Sequence, residues 1–302
     1  MERIFEYLIT EKENGLRVAD FLRSRGYSHH ILTTLKKSDD GICLNGVRCY
    51  ATAFLKPLDR LTVILREETP SERIQPVPMD LKIVYEDPDL LVVDKPADTP
   101  THPSFQNHGN TLANGLAWYF QEQKIPFVYR CINRLDRDTT GLLIIAKHML
   151  SGSILSDMVK NRKIHREYLA LADGLVPDTG TIDAPIGRME GSALARCIDF
   201  EHGERAVTHF QRLAFHPGGE TENGCSLVSL ELETGRTHQI RVHMKYLGHP
   251  LPGDFLYHPD YSHINRQALH SHRLTFSHPI TGEALSFCSP MPRDMEEAFY
   301  SF

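Results

Sequence analysis

The stretch 66–80, REETPSERIQPVPMD, constrains the chain most. It carries three prolines and many charges with no apolar period, so neither a helix nor a strand can run through it. Any fold must be built from a short piece before it and a long piece after it. We read residues 1–68 as one domain, 69–80 as a linker and 81–302 as a second domain. The composition of the linker predicts that the two parts fold separately. A chain of 302 residues is comfortable for one domain plus a small module.

Ahead of the linker, Val18, Phe21 and Leu22 recur at helical spacing. Ser28 is placed to cap a second helix, whose Ile31, Leu32 and Leu35 make one apolar stripe. Asp40-Gly41 ends that pattern. Asn45-Gly46 then sits between the β-prone runs ICL and VRCY, and because both residues tolerate positive φ the dipeptide predicts a tight hairpin. LTVIL at 61–65 is a further strand, so the module reads as two helices followed by strands. Beyond the linker, LKIVYE and LLVVDKP flank an Asp87-Pro88-Asp89 turn as two strands. Thr111 caps a helix with Leu112, Leu116, Tyr119 and Phe120 on one face, and Ser151 caps another with Ile154, Leu155, Met158 and Val159. GLLIIAKH, short and almost continuously apolar, predicts a buried strand, and EYLALADGLV resumes β character. This body is α+β, its sheet built from hairpins and long connections.

Composition is that of an ordinary globular chain, 41% apolar and 24% charged. No apolar run approaches the roughly 18–20 residues that span a bilayer. The N-terminal MERIFEYLITEKENG lacks the apolar core of a signal peptide, so we expect a cytoplasmic protein without membrane association. Six scattered cysteines without a C-x-x-C pair suit neither a disulfide framework nor a zinc site. The net charge of −6 by itself disfavours a nucleic-acid partner, but its distribution reverses that. Between Arg17 and Arg66 nine basic residues face four acids, a net +5, which leaves −11 on the rest. A basic module on an acidic body is an electrostatic footprint of RNA binding, with Lys36, Lys37 and Arg48 as candidate contacts.

Three segments carry polar residues that a fold alone does not demand. In INRLDRDTTGLLIIAKH, 132–148, a polar turn feeds directly into the buried strand, and Gly141 lets the backbone turn closely at the junction. Asp136 sits there between Arg134 and Arg137, neighbours that favour an ionised carboxylate suited to act as nucleophile or base. In ETGRTHQIRVHMKYLGHP, 233–250, Thr237 caps a helix that ends at Gly248 and Pro250. Ile240, His243, Met244 and Leu247 share one face, leaving His238, Arg241 and Lys245 along the other. Arg241 can hold a carboxylate through two hydrogen bonds, while Arg236 and His238 are candidate RNA contacts. In IHREYLAL, 164–171, Tyr168 follows the basic patch Arg162, Lys163, His165 and Arg166, an arrangement suited to stacking a base above a phosphate-binding surface. Seventeen histidines invite a metal reading, but His238 and His243 are five apart, no H-E-x-x-H occurs, and nothing completes a ligand set around His270 and His272. P-loop, dinucleotide-binding and nucleophile-elbow signatures are absent.

Taken together, NRLDRDTTG, EYLAL and GRTHQIRVH resemble the motifs of the RluA-type pseudouridine synthases, in that family's order. DLLVVDKPADTPTHPS, AVTHF, GHPLPGDFLY and LHSHRLTFSHPITGEALSF agree, and the resemblance covers about residues 80–293. The N-terminal piece is similar to the small alpha-L RNA-binding domain of one small-subunit ribosomal protein and many RNA-modifying enzymes, through its two helices, its LNG turn and LKPLDRLTV. The resemblance implies a pseudouridine synthase fold, a mostly antiparallel central sheet flanked by helices, plus that alpha-L domain. It implies that Asp136 is the catalytic aspartate and Arg241 the arginine paired with it. It implies that Tyr168 stacks on the target uracil and assists proton removal, and that Arg134 lies beside the flipped nucleotide; Arg137 joins the RNA contacts. Asn133 stands where the family often has histidine, which leaves its role open. The expected reaction isomerises specific uridines in structured ribosomal or transfer RNA, with no cofactor, no metal and no obligate protein partner. Two readings compete: a non-catalytic RNA-binding or assembly protein that keeps the fold, and a metal-dependent RNA or nucleotide hydrolase. The intact Asp136, Tyr168 and Arg241 set argues against the first, and the missing ligand spacing against the second.

Overall fold

A computed structural model describes residues 1–71, 73–104, 107–219 and 223–302. The N-terminal module consists of β1 (Glu2–Leu8), α1 (Val18–Ser24), α2 (His29–Leu35), β2 (Ile42–Leu44), β3 (Val47–Arg48) and β4 (Arg60–Arg66), with the strands ordered β1-β4-β2-β3. The Ser28 hydroxyl accepts the Ile31 N–H at 3.3 Å, as the capping pattern requires. Asn45 and Gly46, at φ 53° and 80°, make the turn between β2 and β3. The first strand departs from the sequence reading, which begins with helices. Residues 2–8 pair antiparallel with β4, from Glu2↔Arg66 to Leu8↔Arg60. Only Phe5 of these seven is buried; Ile4 and Leu8 lie on the exposed face and Arg3 on the packed one, which blurs the alternation a one-sided strand would show.

This strand also changes the charge balance. Arg66 is held by Glu2 and Asp40, Arg23 by Asp20, Arg25 by Glu13 and Arg48 by Asp39. Four of the nine basic residues counted above are thus neutralised within the module. Such exposed pairs add little stability, but they reduce the field offered to a polyanion.

The body contains β5 (Lys82–Glu86), β6 (Leu90–Lys95), α3 (Leu112–Glu122), β7 (Thr140–Ala146), α4 (Met149–Lys160), β8 (His165–Asp173), β9 (Thr179–Asp183), β10 (Ile186–Arg188), β11 (Arg196–Ile198), β12 (Val207–His216), β13 (Cys225–Leu232), α5 (Gln239–Tyr246), β14 (Leu269–Ser277), β15 (Ala284–Cys288) and α6 (Arg293–Tyr300). Nine of its strands form one sheet ordered β5-β6-β7-β14-β8-β13-β12-β9, with β15 on β14. Among the described residues every strand pair in that sheet is antiparallel except β7 with β14. The sheet is buried on both faces at its centre. Leu91, Val93, Leu143 and Ile145 pack towards α3 and α5, whereas Leu90, Val92, Leu142 and Ile144 pack towards Leu155 of α4. That explains the unbroken apolar run of β7, all of whose residues are buried. At its start Gly141 has φ 105°, and a Cβ there would overlap the Ser271 backbone carbonyl, so the close approach of β14 needs glycine.

Two helix starts differ from expectation. The cap of α4 is His148, whose ring nitrogen accepts the Ser151 N–H at 3.2 Å; Ser151 lies inside the helix. The cap of α5 is His238, in the left-handed conformation at φ 58°, rather than Thr237.

The module and the body share a core, against the expectation of separate folding. Leu150 of α4 belongs to the module's apolar cluster, and Met149, Ile154 and Ile280 pack on it. Buried carboxylates bridge the seam. Asp89 accepts from Arg3 and His148, both at 2.9 Å. Glu67 accepts from Arg130 at 2.8 Å and from the Met149 N–H at 2.7 Å. Leu150→Ala is therefore expected to cost about 2–5 kcal/mol, with module and body still melting in one transition. Denaturant unfolding followed by probes in both parts checks this; an early melt of the module alone would show that the seam carries no cooperativity.

Candidate active site

The polar turn that carries Asp136 is pinned from below. Lys95 is 1% exposed and donates to the carbonyls of Pro96 and Arg137, both at 2.8 Å. Burial pulls its ammonium down to about 7, opposed by the charges of Asp138 and Asp136. Thr101 donates to the Leu135 carbonyl at 2.8 Å. Asn133 uses both ends of its amide on β7, donating to the Leu142 carbonyl at 3.3 Å and accepting the Ile144 N–H at 2.9 Å. Its role is to staple the turn to the strand, which a neutral amide does without titrating.

Asp136 Oδ2 accepts from Arg241 Nη1 at 2.7 Å. The other edge of the guanidinium is bound by Asp254, with Nε and Nη2 each donating at 2.7 Å. Arg241 is 1% exposed and Asp254 0%. Burial works against the guanidinium charge, but the two carboxylates outweigh it and hold Arg241 above its ordinary pKa. Such a buried set contributes little net stability, because desolvation offsets the attraction. Its product is geometry: Asp254 locks one edge and presents the other to Asp136. The Asp254 carboxylate is itself oriented by the N–H groups of Leu256 and Tyr257 at 3.0 and 3.2 Å.

The polar face expected on α5 is therefore not solvated. Gln239 to Met244 are all buried, and the rings of Phe255 and Tyr257 lie 5.5 and 5.1 Å from the Arg241 guanidinium. The loop after the helix covers that face, so only Lys245 of the expected stripe stays exposed within the helix. His238, just outside it, shares a 2.9 Å hydrogen bond with the Tyr257 hydroxyl, and its Nε2 lies 3.9 Å from Asp136. Burial lowers its pKa.

Tyr168, on β8, is 4% exposed and lines the same cleft as Asp136 and Arg241, a cavity of about 510 Å³. Burial pushes its phenol up. Arg134 is exposed at this cleft and makes no ion pair among the described residues. Arg236 also lines it but is held by Glu204. Arg137 turns aside to Asp138 at 2.9 Å and lies over the Phe255 ring. Lys36, Lys37 and Arg48 belong to the module and are not among the residues lining the cleft. Sequence reading missed Asp254 and Lys95. Their signals were present, a single acid inside the apolar stretch 248–257 and a lysine ending a buried strand, since a charge in such surroundings must find a partner.

Asp87, Asp89 and His278 bring ligand atoms within 4.8 Å of one another. His278 Nδ1 accepts the N–H groups of Ile280 and Thr281, so Nε2 carries the proton it donates to Asp87 at 2.7 Å. Asp89 is committed to Arg3 and His148. No lone pair of the histidine is left for a metal, and the cluster serves as a tie between the 87–89 turn and the β14–β15 hairpin.

Residues 89–246, the span that holds Asp136, Tyr168 and Arg241, match the RNA pseudouridylate synthase family. The chain belongs to that family and is an RNA pseudouridine synthase, an isomerase. Among its relatives, the RNA pseudouridine synthase YjbO of Bacillus subtilis is 39% identical over 283 residues, covering 93% of this chain and 98% of that protein. The ribosomal large subunit pseudouridine synthase D of Vibrio vulnificus is 41% identical over 238 residues, 74% of this chain and 70% of that one. Among solved structures, human RNA pseudouridylate synthase domain containing 1 is 32% identical with a TM-score of 0.57, covering 70% of this chain and 83% of that chain. Among the described residues no helix is long and apolar enough to cross a membrane.

Proposed function

We propose that the protein acts in the cytoplasm on specific uridines of structured ribosomal or transfer RNA, with Asp136 as the catalytic carboxylate. The observation that carries this reading is the Asp136–Arg241 contact of 2.7 Å in a cleft that Tyr168 also lines. Relatives named for the large ribosomal subunit favour ribosomal RNA. Uracil must leave C1′ of the ribose, rotate and rejoin through C5. A carboxylate assists by attacking C1′ or by removing a ribose proton, and Tyr168 removes the C5 proton at the end. The reaction rearranges bonds within one nucleotide, so it calls for no redox cofactor. The target must first leave its stack, at a cost of a few kcal/mol. Arg134, exposed and without an ion pair among the described residues, suits a contact to the flipped nucleotide. Residues 1–68 serve as the alpha-L-type RNA-binding domain, joined through 69–80 to the catalytic domain 81–302. Lys36 and Lys37 make no ion pair among the described residues and suit phosphate contacts better than Arg48, which Asp39 holds.

Carbodiimide-based pseudouridine mapping of total RNA tests the reading, comparing cells with the gene, without it, and with only the Asp136→Asn form. One or a few sites should vanish in both deficient strains. An unchanged map would overturn the assignment and leave the non-catalytic reading. On a short substrate whose fold needs no divalent ion, turnover should persist in excess EDTA. Loss of activity restored by a divalent ion, with cleaved product, would favour the hydrolase instead.

A further inference from the structure

Arg166 lies two residues before Tyr168 on β8, so both side chains leave the same face of the sheet, and both line the cleft. Glu167, between them, turns to Ser229 and Arg273. The Nε atom of Arg166 is buried and has no hydrogen-bond partner among the described residues. Nor does its guanidinium meet a carboxylate there, whereas Arg162, Arg236 and Arg241 around the same cleft are each held by one or two. Its nitrogens pass close over Gly235, where a Cβ would stand 3.4 Å from Nη1 and 3.7 Å from Nη2. A half-buried cation, its Nε closed off from solvent and without a counter-ion among the described residues, therefore stands beside a buried phenol. A carboxylate on Arg166 would cancel its field. Without one, the field falls on Tyr168, where burial and the Asp136 charge disfavour a phenolate and the Arg166 charge favours it.

We propose that Arg166 is a positioning residue that makes Tyr168 competent to take the C5 proton, by supplying the positive charge a phenolate needs at that spot. The proposal rests on the reading of Tyr168 given above. In this step C5 bears both its hydrogen and the new bond to C1′. The C5–H bond breaks towards the phenolate oxygen and its electron pair forms C5=C6. The C6=N1 pair moves onto N1, which takes a proton from water. The phenol's own proton has gone to water beforehand, so Tyr168 ends as it began, and the base has gained at N1 the proton it lost at C5.

The experiment is single-turnover kinetics on RNA whose target uridine carries protium or deuterium at C5. Arg166→Gln should slow the saturated rate roughly 100-fold and raise the C5 isotope effect above wild type, and Arg166→Lys should recover most of the rate. Where C5 removal already limits the wild type, the saturated rate must still fall in Arg166→Gln with the RNA concentration at half-saturation unchanged. Tyr168→Phe is measured in parallel. A Tyr168→Phe rate equal to wild type with no rise in isotope effect would sink the reading of Tyr168 itself. Slow, isotope-sensitive turnover in Tyr168→Phe, with Arg166→Gln either as fast as wild type or, where C5 removal does not limit the wild type, slowed without change in isotope effect, would overturn the Arg166 proposal alone.

Discussion

Asp136→Asn is expected to lower pseudouridine formation at saturating RNA by at least about 1,000-fold, with RNA affinity and unfolding midpoint close to wild type. The amide is nearly isosteric, and its oxygen can still accept from Arg241 Nη1. Arg241 also stays neutralised, because Asp254 holds its other edge through two hydrogen bonds. What disappears is the negative charge and with it the nucleophile or base. Single-turnover assays, a binding titration and thermal unfolding on the same preparation check the three parts. Substantial turnover by the variant would sink the mechanism.

Arg241→Met is expected to cost comparable activity and far more stability. It leaves two carboxylates without their cation, and one of them, Asp254, is 0% exposed. Removing one member of a buried, hydrogen-bonded ion pair costs about 3–5 kcal/mol, because the remaining charge stays desolvated. The double variant Arg241→Met with Asp254→Asn separates the two effects. It removes the uncompensated buried charge, so most of the stability should return, but Asp136 still lacks the group that holds it, so activity should not. Recovery of activity in the double variant would mean that Arg241 serves only to neutralise Asp254. An undiminished midpoint in the single variant would mean that the buried set is not formed as described.

What local physics decides was legible in the sequence. The Ser28 and Thr111 caps, the Asn45-Gly46 hairpin and the wholly buried β7 follow from hydrogen-bonding groups, backbone freedom and apolar runs within a few residues of one another. The motifs around Asp136, Tyr168 and Arg241 were equally readable, since each is a compact string, and together they pointed to the family. The family resemblance already paired Arg241 with Asp136; tertiary structure alone decided what else those residues meet. Asp136 and Arg241 are 105 residues apart, and no periodicity says that a third residue, Asp254, completes their set. The helical pattern of α5 gives its angular faces but not what covers them, so the side that looked solvated became the site of a buried guanidinium. The linker's composition marks a break in regular structure without saying whether the flanking pieces pack together, and here Leu150 fills the module's core from the body. Alternation along β1 was too weak to read, with Ile4 and Leu8 on its exposed face, and pairing with β4, more than fifty residues away, is what makes it a strand. Burial and charge pairing are properties of positions in space, and only folding brings positions so distant along the chain within reach of a hydrogen bond.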